Sequence, residues 1–592
     1  MEKQRVRRRK KKSVLPIVLI IAAVVLVIAG LLVYEKYRPT KERVDLYEYF
    51  DINEADDVAV IRDRERMSYF GKLIDSHVYL PYEIVHDSIN DRFYLDEDGL
   101  LLYTFNQAEL SYNLETGGND CMLQRFEGGG IEEEIMHLEA QPVCYIKDQL
   151  YLELDFVKQY SPIEYTFYEE PNRIVLTTSF GEMSVTPVTK NTAIREKGGV
   201  KSPILKDLFP GDMVYVQEKE EKWAKVKSQD GITGYVPIRY LGEETTEMLT
   251  CSFQEETFTH LFYEGTVNML WHQVTNTDVN DRIGDVLDAS KGVNVISPTW
   301  FYLNDENGGI EDLSSRSYVD YCHERGIQVW ALVSNLENID VDDEEILMHY
   351  GTRWNFVNAM TEKAIALGLD GINLDFEAIS AEAGASYVQL VRELSLACGN
   401  HGLIFSVDNY VPSEYTLHYD RGEQAHFADY VVIMGYDEHY NGSDEGSVSS
   451  MPFVENGVKD TLEQDVPSNQ IILGMPFYTR IWQETPKTGV SDLEMASEDY
   501  IPYELSSSAI SMETQNEEIS KHGAEPIYLA DLGQNFASWQ EDGLTYKIWM
   551  EDMTSLTGRL DILKQYDLAG GAFWKSGLEP SSVWDVIAEY LQ

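Results

Sequence analysis

The sequence predicts a multidomain chain that ends in a (β/α)8 TIM barrel with a small α+β insertion. Ahead of the barrel it predicts a small β-barrel, a small α+β repeat domain and one amino-terminal transmembrane helix. Three observations lead there. Beyond about residue 250, eight short apolar runs alternate with stretches of helical spacing, as in a closed parallel sheet wrapped by helices. One of these runs, Gly371 to Phe376, carries polar groups on one face only. An uncharged apolar stretch, Val14 to Tyr34, follows a strongly basic start.

Residues 1–12 carry eight basic groups against Glu2, and residues 13–34 then read as a membrane anchor. About 20 apolar residues span a bilayer, whereas the core of a cleaved signal is shorter. No small-residue cleavage site follows the stretch, since Tyr34, Glu35, Lys36 and Tyr37 come next. The lysines and arginines before it place the amino terminus in the cytoplasm and the rest of the chain outside. The 592 residues have a formal charge of −54, and the chain after its basic tail is more acidic still. That excess repels phosphate and argues against nucleic acid as a partner. Five cysteines in an exterior body of this length are no disulfide framework. Cys322 and Cys398 read as buried fillers, and a Cys121 to Cys144 bridge stays open.

Residues 35–65 read as a charged linker. A faint repeat follows over 66–183. Val78 to Val85 runs on to Phe93–Glu97, and Leu150 to Val157 runs on to Phe167–Glu170, each copy giving a strand, a short helix and a second strand. The pattern resembles the small domain named for the amino-terminal region of copper amine oxidases. This region shows no histidine and cysteine set for a metal, so no copper is expected, and a spacer or wall-binding role is. Residues 185–242 change to short strands and turns. Pro210-Gly211-Asp212, Trp223-Ala224-Lys225-Val226 and Gly234-Tyr235-Val236 resemble the pieces of a bacterial SH3 domain. Such a module either holds wall peptides or serves as a spacer.

The barrel is expected over 250–592. Its strands are Val267 to His272, Val293 to Pro298, Gln328 to Val333, Gly371 to Phe376, Leu403 to Val407, Tyr430 to Met434, Ile471 to Pro476 and Gly570 to Trp574. The interval from about 483 to 546 is too long for one connection and reads as the inserted subdomain. Side chains alternate across a strand, so Asn373, Asp375 and Glu377 share one face while Ile372, Leu374 and Phe376 share the other. Unpaired carboxylates are costly to bury. In this architecture catalytic groups sit at the carboxyl ends of the strands, where Glu377 lies. Asp370 is out of phase with that set, and Asp370-Gly371 is expected to play a structural part. His272 and His439 lie near strand ends, yet no spacing of histidine, cysteine and acid makes a metal site there, and neither a metal nor a cofactor is expected.

Asp370-Gly371-x-x-x-Asp375-x-Glu377 resembles the signature of glycoside hydrolase family 18, the chitinase-like enzymes. Met434-Gly435-Tyr436-Asp437 is similar to that family's sixth-strand segment, Leu473 to Tyr478 with Arg480 and Trp482 to its seventh, and Ala572-Phe573-Trp574 to its eighth. The resemblance covers about 340 residues and implies a glycosidase. It implies that Glu377 donates the proton to the leaving oxygen and that Asp375 holds the substrate's acetamido group, which acts as internal nucleophile. Tyr436 would bind that acetamido group. Asn373, Met434, Asp437, Tyr478, Arg480 and Trp574 would line the sugar site, Trp574 as a flat apolar floor. Asp375 is expected to raise the pKa of Glu377 by like-charge repulsion. The family has a third acid where this chain has Asn373, which resembles the branch of spore-cortex and cell-wall N-acetylglucosaminidases. The expected partner is a cell-wall glycan, peptidoglycan ahead of chitin, with the membrane as a second. The rival expectation is a catalytically weak barrel that grips glycan without cutting it.

Overall fold

The computed structural model describes residues 15–488 and 501–591. The expected basic tail lies outside the described residues, as does part of the expected insertion. A helix runs over Leu15–Tyr37, and its stretch Ile17–Tyr37 is long and apolar enough to cross a bilayer. The chain forms two compact units. The first takes residues up to Asp91 together with Glu139–Glu255, and the second takes Arg92–Leu138 together with everything from Glu256 on.

In the first unit a seven-stranded sheet contains His77–Pro81 and Gln149–Glu153 as antiparallel neighbours, with Leu80 opposite Leu152. Each of these strands runs straight into a short helix, Tyr82–Ser88 and Leu154–Gln159, so the two copies of the sequence repeat face each other across one sheet. A second seven-stranded sheet contains the Trp223–Ser228 and Thr233–Pro237 strands.

The expected continuous domain over 66–183 requires correction. The chain leaves the first unit after Asp91, and Tyr94–Leu95 opens a five-stranded antiparallel meander that ends with Gly130–His137 and belongs to the second unit. Residues read as the closing strand of the first repeat therefore serve a different sheet. All five cysteines are free thiols, and Cys322 and Cys398 are buried.

The second unit is built on eight parallel strands: β1 Val267–His272, β2 Val295–Leu303, β3 Gln328–Ser334, β4 Gly371–Asp375, β5 Ile404–Tyr410, β6 Tyr430–Met434, β7 Ile471–Pro476 and β8 Gly570–Trp574. β1 pairs with both β2 and β8, which closes the barrel. All eight expected strands are present, and β2 and β5 run well past their expected ends. Val267, Met269, Val295, Trp330, Leu332, Ile404, Tyr430, Val432, Ile472 and Ala572 fill the interior. The alternate residues of the same strands pack outward against the helices. Glycine is required where strands crowd: a Cβ on Gly371 would stand 2.6 Å from the Ile404 carbonyl oxygen, and one on Gly570 would stand 2.1 Å from that of Val267.

Between β7 and β8 the chain forms a five-stranded sheet with the helix Met512–His522 packed on it. This insertion is wider than expected, since its first strand is Tyr478–Pro486 and its last is Leu544–Trp549. The meander docks on two barrel helices, α1 Tyr350–Leu367 and α2 Gly384–His401, through buried charge. Arg353 donates to both oxygens of Glu393 at 3.0–3.1 Å and to the Leu347 carbonyl at 2.7 Å. Gln389 donates to Glu109 of the meander at 3.1 Å, to Thr104 at 3.0 Å and to Glu393 at 3.2 Å. Burial and the nearby Glu393 carboxylate push Glu109 up to about 8.

Removing one member of a buried ion pair leaves the other uncompensated. Arg353→Met is therefore expected to destabilise the second unit by about 3–5 kcal/mol, read as a lowered midpoint in chemical denaturation.

Candidate active site

The acidic face of β4 is positioned from both ends. α1 stops at Gly368, whose φ of 66° turns the chain back toward the barrel. Asp370 then sits at the amino end of the strand, where its Oδ2 accepts from the Val329 N–H and the His323 Nε2 at 2.8 Å. It is far out of phase with the inward set and binds the strand to its neighbour. At the carboxyl end, Asn335 clamps the backbone of Glu377. Its side-chain amide donates to the Glu377 carbonyl at 2.8 Å and accepts from the Glu377 N–H at 2.8 Å. The next residue, Ala378, has φ 56°, a conformation that L side chains other than Asn and Asp rarely adopt. Its N–H donates to the Tyr410 hydroxyl at 3.2 Å, and that of Ile379 donates to Tyr419 at 3.2 Å. The turn that aims Glu377 is thus held by Asn335 just after β3, by Tyr410 of β5 and by Tyr419 in the loop after it.

Below the acids lies a buried polar layer. Asn373, fully enclosed, accepts on Oδ1 from Trp271 Nε1 at 3.0 Å and from Ser297 Oγ at 3.1 Å. Its Nδ2 donates to Asp408 Oδ1 at 2.7 Å. Two donors on one oxygen fix the orientation of the amide, so its N–H must face Asp408.

Three carboxyl groups are affected by this enclosure. Asp375 is pushed well above the usual range, first by burial, then by the charges of Asp408, Glu377 and Glu337. Its Oδ1 is buried and has no hydrogen-bond partner among the described residues. Asp408 is pushed up to about 8 by burial, with Glu377 adding to this and the Asn373 amide opposing it. Glu377 is raised by burial, with Asp437 and Glu337 adding, while a hydrogen bond from Tyr410 holds it down. The expected repulsion between Asp375 and Glu377 is present, but it registers on Asp375. The deeper group has less solvent to screen it and carries the larger cost.

Around the acids stand the remaining expected residues. Tyr436 is half-buried beside β6, edge-on to Trp271 at 6.5 Å and to Tyr478 at 6.3 Å. A Cβ on Gly474 would lie 3.3 Å from the Tyr436 ring and 2.9 Å from the Ile433 carbonyl oxygen, so glycine there makes room for the tyrosine. Burial raises the Tyr436 hydroxyl pKa, with Asp408 and Asp375 adding to it. Asp437, at φ 58°, accepts from the Tyr478 hydroxyl at 2.6 Å. Met434 closes β6 and pairs with Gly474. Trp574 ends β8 half-exposed, 5.8 Å from Trp271. Arg480 lies on the inserted sheet rather than a barrel strand, and its Nη1 donates to Ser507 at 3.0 Å.

Asp408, Tyr410, Asn335 and Trp271 belong to this constellation and were not anticipated from sequence. The signal for two of them was present: Ile404, Ser406, Asp408 and Tyr410 continue the inward phase of β5, which was expected to stop at Val407. His272 is buried against Tyr318, and burial lowers it to about 4. Two groups with metal-ligand spacing, His77 with Glu153 and Asp155, and Glu54 with Asp56 and Asp57, lie in the first unit.

A carboxyl group whose folded pKa exceeds its unfolded one stabilises the fold at low pH, and that contribution is lost as pH rises toward the folded value. For Asp408 the window runs from about 4 to about 8. Asp408→Asn, which keeps an acceptor for Asn373, is expected to gain stability over the parent across that window, by about 1 kcal/mol or more at pH 9. Thermal melts at pH 5, 7 and 9 measure it.

Residues 345–579 match the family model described as glycosyl hydrolases family 18. A putative sporulation-specific glycosylase, YdhD of Bacillus subtilis, is 25% identical over 329 residues, which is 53% of this chain and 72% of that protein. The cortical fragment-lytic enzyme of Bacillus subtilis is 24% identical over 271 residues, 44% of this chain and 59% of that one. The crystal structure of the Bacillus cereus spore cortex-lytic enzyme SleL aligns with 58% of this chain and 78% of its own at 17% identity, with a TM-score of 0.48. With the matched segment spanning β4 through β8, the chain carries a glycosyl hydrolases family 18 domain and is an enzyme of the glycosidase class.

Proposed function

We propose that the protein is a membrane-anchored exterior glycosidase that cleaves β-1,4 bonds next to N-acetylhexosamine, with retention and with the substrate's acetamido oxygen as nucleophile. One observation carries this reading. Asp375 Oδ1 is a buried acceptor without a hydrogen-bond partner among the described residues, and the charge of Glu377 acts on its carboxyl group. Leaving such a group unsatisfied costs about 1–3 kcal/mol, and a substrate amide N–H answers it directly.

In this mechanism Glu377, whose carboxyl pKa is raised by burial, protonates the leaving oxygen. Tyr410 steadies it from β5. Asp375 accepts from the acetamido N–H, turns the carbonyl oxygen toward the anomeric carbon and offsets the positive charge of the cyclic intermediate. Glu377, now ionised, then takes the proton of the incoming water. Tyr436 binds the acetamido group from the β6 side, Asp437 and Tyr478 hold the sugar hydroxyls, and Trp574 gives the pyranose an apolar face. Met434 and Asn373 form the wall and base of the cavity, and Arg480 flanks the cleft from the insertion.

The wall glycan is favoured over chitin by the names of the relatives, a sporulation glycosylase and a cortical fragment-lytic enzyme, and by the apolar helix Leu15–Tyr37, which would tether the barrel outside the cell. The SH3-like segment fits a role in holding wall peptides.

Purified full-length protein is expected to release new reducing ends from peptidoglycan and, more slowly, from chitin oligomers. Release from neither would defeat the proposal. Glu377→Gln is expected to lower kcat by about 10²–10⁴-fold with KM little changed. De-N-acetylated glycan should resist cleavage, and equal rates on it would rule out the acetamido nucleophile.

A further inference from the structure

The first unit contains a cavity of about 60 Å³ that the glycosidase reading does not use. Its lining includes Ile61, Val175, Met183 and Leu249 as an apolar wall and Lys227 and Arg64 as cations. Lys227 lies on the strand Trp223–Ser228, opposite Tyr215 and Thr233, on the face turned away from the small-barrel core. It is only 4% exposed. Its ammonium has no hydrogen-bond or ion-pair partner among the described residues, while buried ammonium groups are ordinarily paired. Burial pushes it down to about 8, with Glu65 opposing and Arg64 and Lys225 adding. Arg64 is exposed at the rim, its guanidinium 5.7 Å from the centre of the Tyr215 ring, and it too has no acidic partner among the described residues. Asp63 also lines the cavity, but its carboxylate is engaged by the N–H groups of Thr178 and Ser179 at 2.8 and 3.1 Å and by the Thr178 hydroxyl.

Two unmatched cations over one small apolar cavity stand out in a chain of net charge −54. We propose that this cavity binds the carboxylate end of a short aliphatic or peptidic ligand, with the carboxylate on Lys227 and Arg64 and the aliphatic portion against Ile61, Val175 and Leu249. The size fits: a water needs about 10–15 Å³ of such space, so the cavity encloses a carboxylate with one or two attached carbons, and the rest of a longer ligand stays outside it. The ion pair would form with one partner already enclosed, which strengthens it relative to a surface pair. A neutral amide of equal shape lacks the charge and cannot replace it. The proposal is independent of the barrel chemistry.

The test uses the full-length protein in detergent, titrated with N-acetylalanine, with N-acetylalanine amide and with inorganic phosphate at matched ionic strength, and followed by thermal shift and calorimetry. N-acetylalanine should bind and raise the Tm, the amide should bind at least tenfold more weakly, and phosphate should be excluded by the apolar wall. Lys227→Met should abolish carboxylate binding while itself melting no lower than the parent, because an unpaired buried cation is replaced by an apolar chain of similar length. Arg64→Gln, at an exposed position, should weaken binding several-fold without affecting the melt. Equal binding of acid and amide, retained binding in Lys227→Met, or preferential binding of phosphate would overturn the proposal.

Discussion

The site depends on holding three carboxyl groups in a place where two ionised ones already repel. Asp375, Asp408 and Glu377 converge at the mouth of the barrel, and each is raised first by burial. Among the described residues no cation forms an ion pair with them. The barrel instead supplies neutral donors: the Asn373 amide for Asp408 and the Tyr410 hydroxyl for Glu377, with none for Asp375. Such an arrangement stores protons rather than neutralising charge, since a full complement of ionised acids in a medium of low polarisability is too costly. The rest of the fold bears that cost. Eight strands, closed and packed on both faces, keep the carboxyls from separating, and the clamp of Asn335 on the Glu377 backbone keeps the outermost of them aimed.

The same dependence explains which parts of the site could be read from sequence. A closed parallel barrel encodes its strands as short apolar runs with a fixed inward phase, and all eight runs are legible for that reason. Asp375 and Glu377 are legible because they interrupt an apolar run in phase. Asp408 shares the inward phase of Ile404 and Ser406, but Asp408-Asn409 at the end of an apolar run has poor strand propensity and looks like the start of a loop, which masks it. The hydrogen bond from Asn373 on the adjacent strand confirms that β5 continues inward to Asp408. Asn335 lies beyond any periodic signal, since it acts on a backbone 42 positions away.

The meander over Arg92–Leu138 was illegible for another reason. Its first strand, Tyr94–Leu95, resembles in composition the strand that closes the second repeat, so local pattern assigned it to the same domain. What takes it elsewhere is the buried set of Arg353, Glu393, Gln389 and Glu109, whose members are up to 285 positions from their partners. Propensity and periodicity carry no information about such pairings. The glutamate inside a meander strand, Glu109, reads in the sequence as a surface residue and is fully enclosed in the fold.

Asn373 shows how the site can shift an acid from one strand to the next. An acid at this position would face two donors, Trp271 and Ser297, and would also lie against Asp408. It would bond well on one side and repel on the other. The amide resolves the conflict, because its oxygen takes both donors and its nitrogen offers an N–H to Asp408. The asparagine therefore converts a donor pair from β1 and β2 into a single donor aimed at β5. The acid whose charge weighs most on Asp375 is then Asp408 on the adjacent strand, not a second acid on β4, and the proton store of the site moves with it. The asparagine in the β4 motif and the carboxylate on β5 are two halves of one arrangement, joined by the hydrogen bond that the Asn373 amide donates to Asp408.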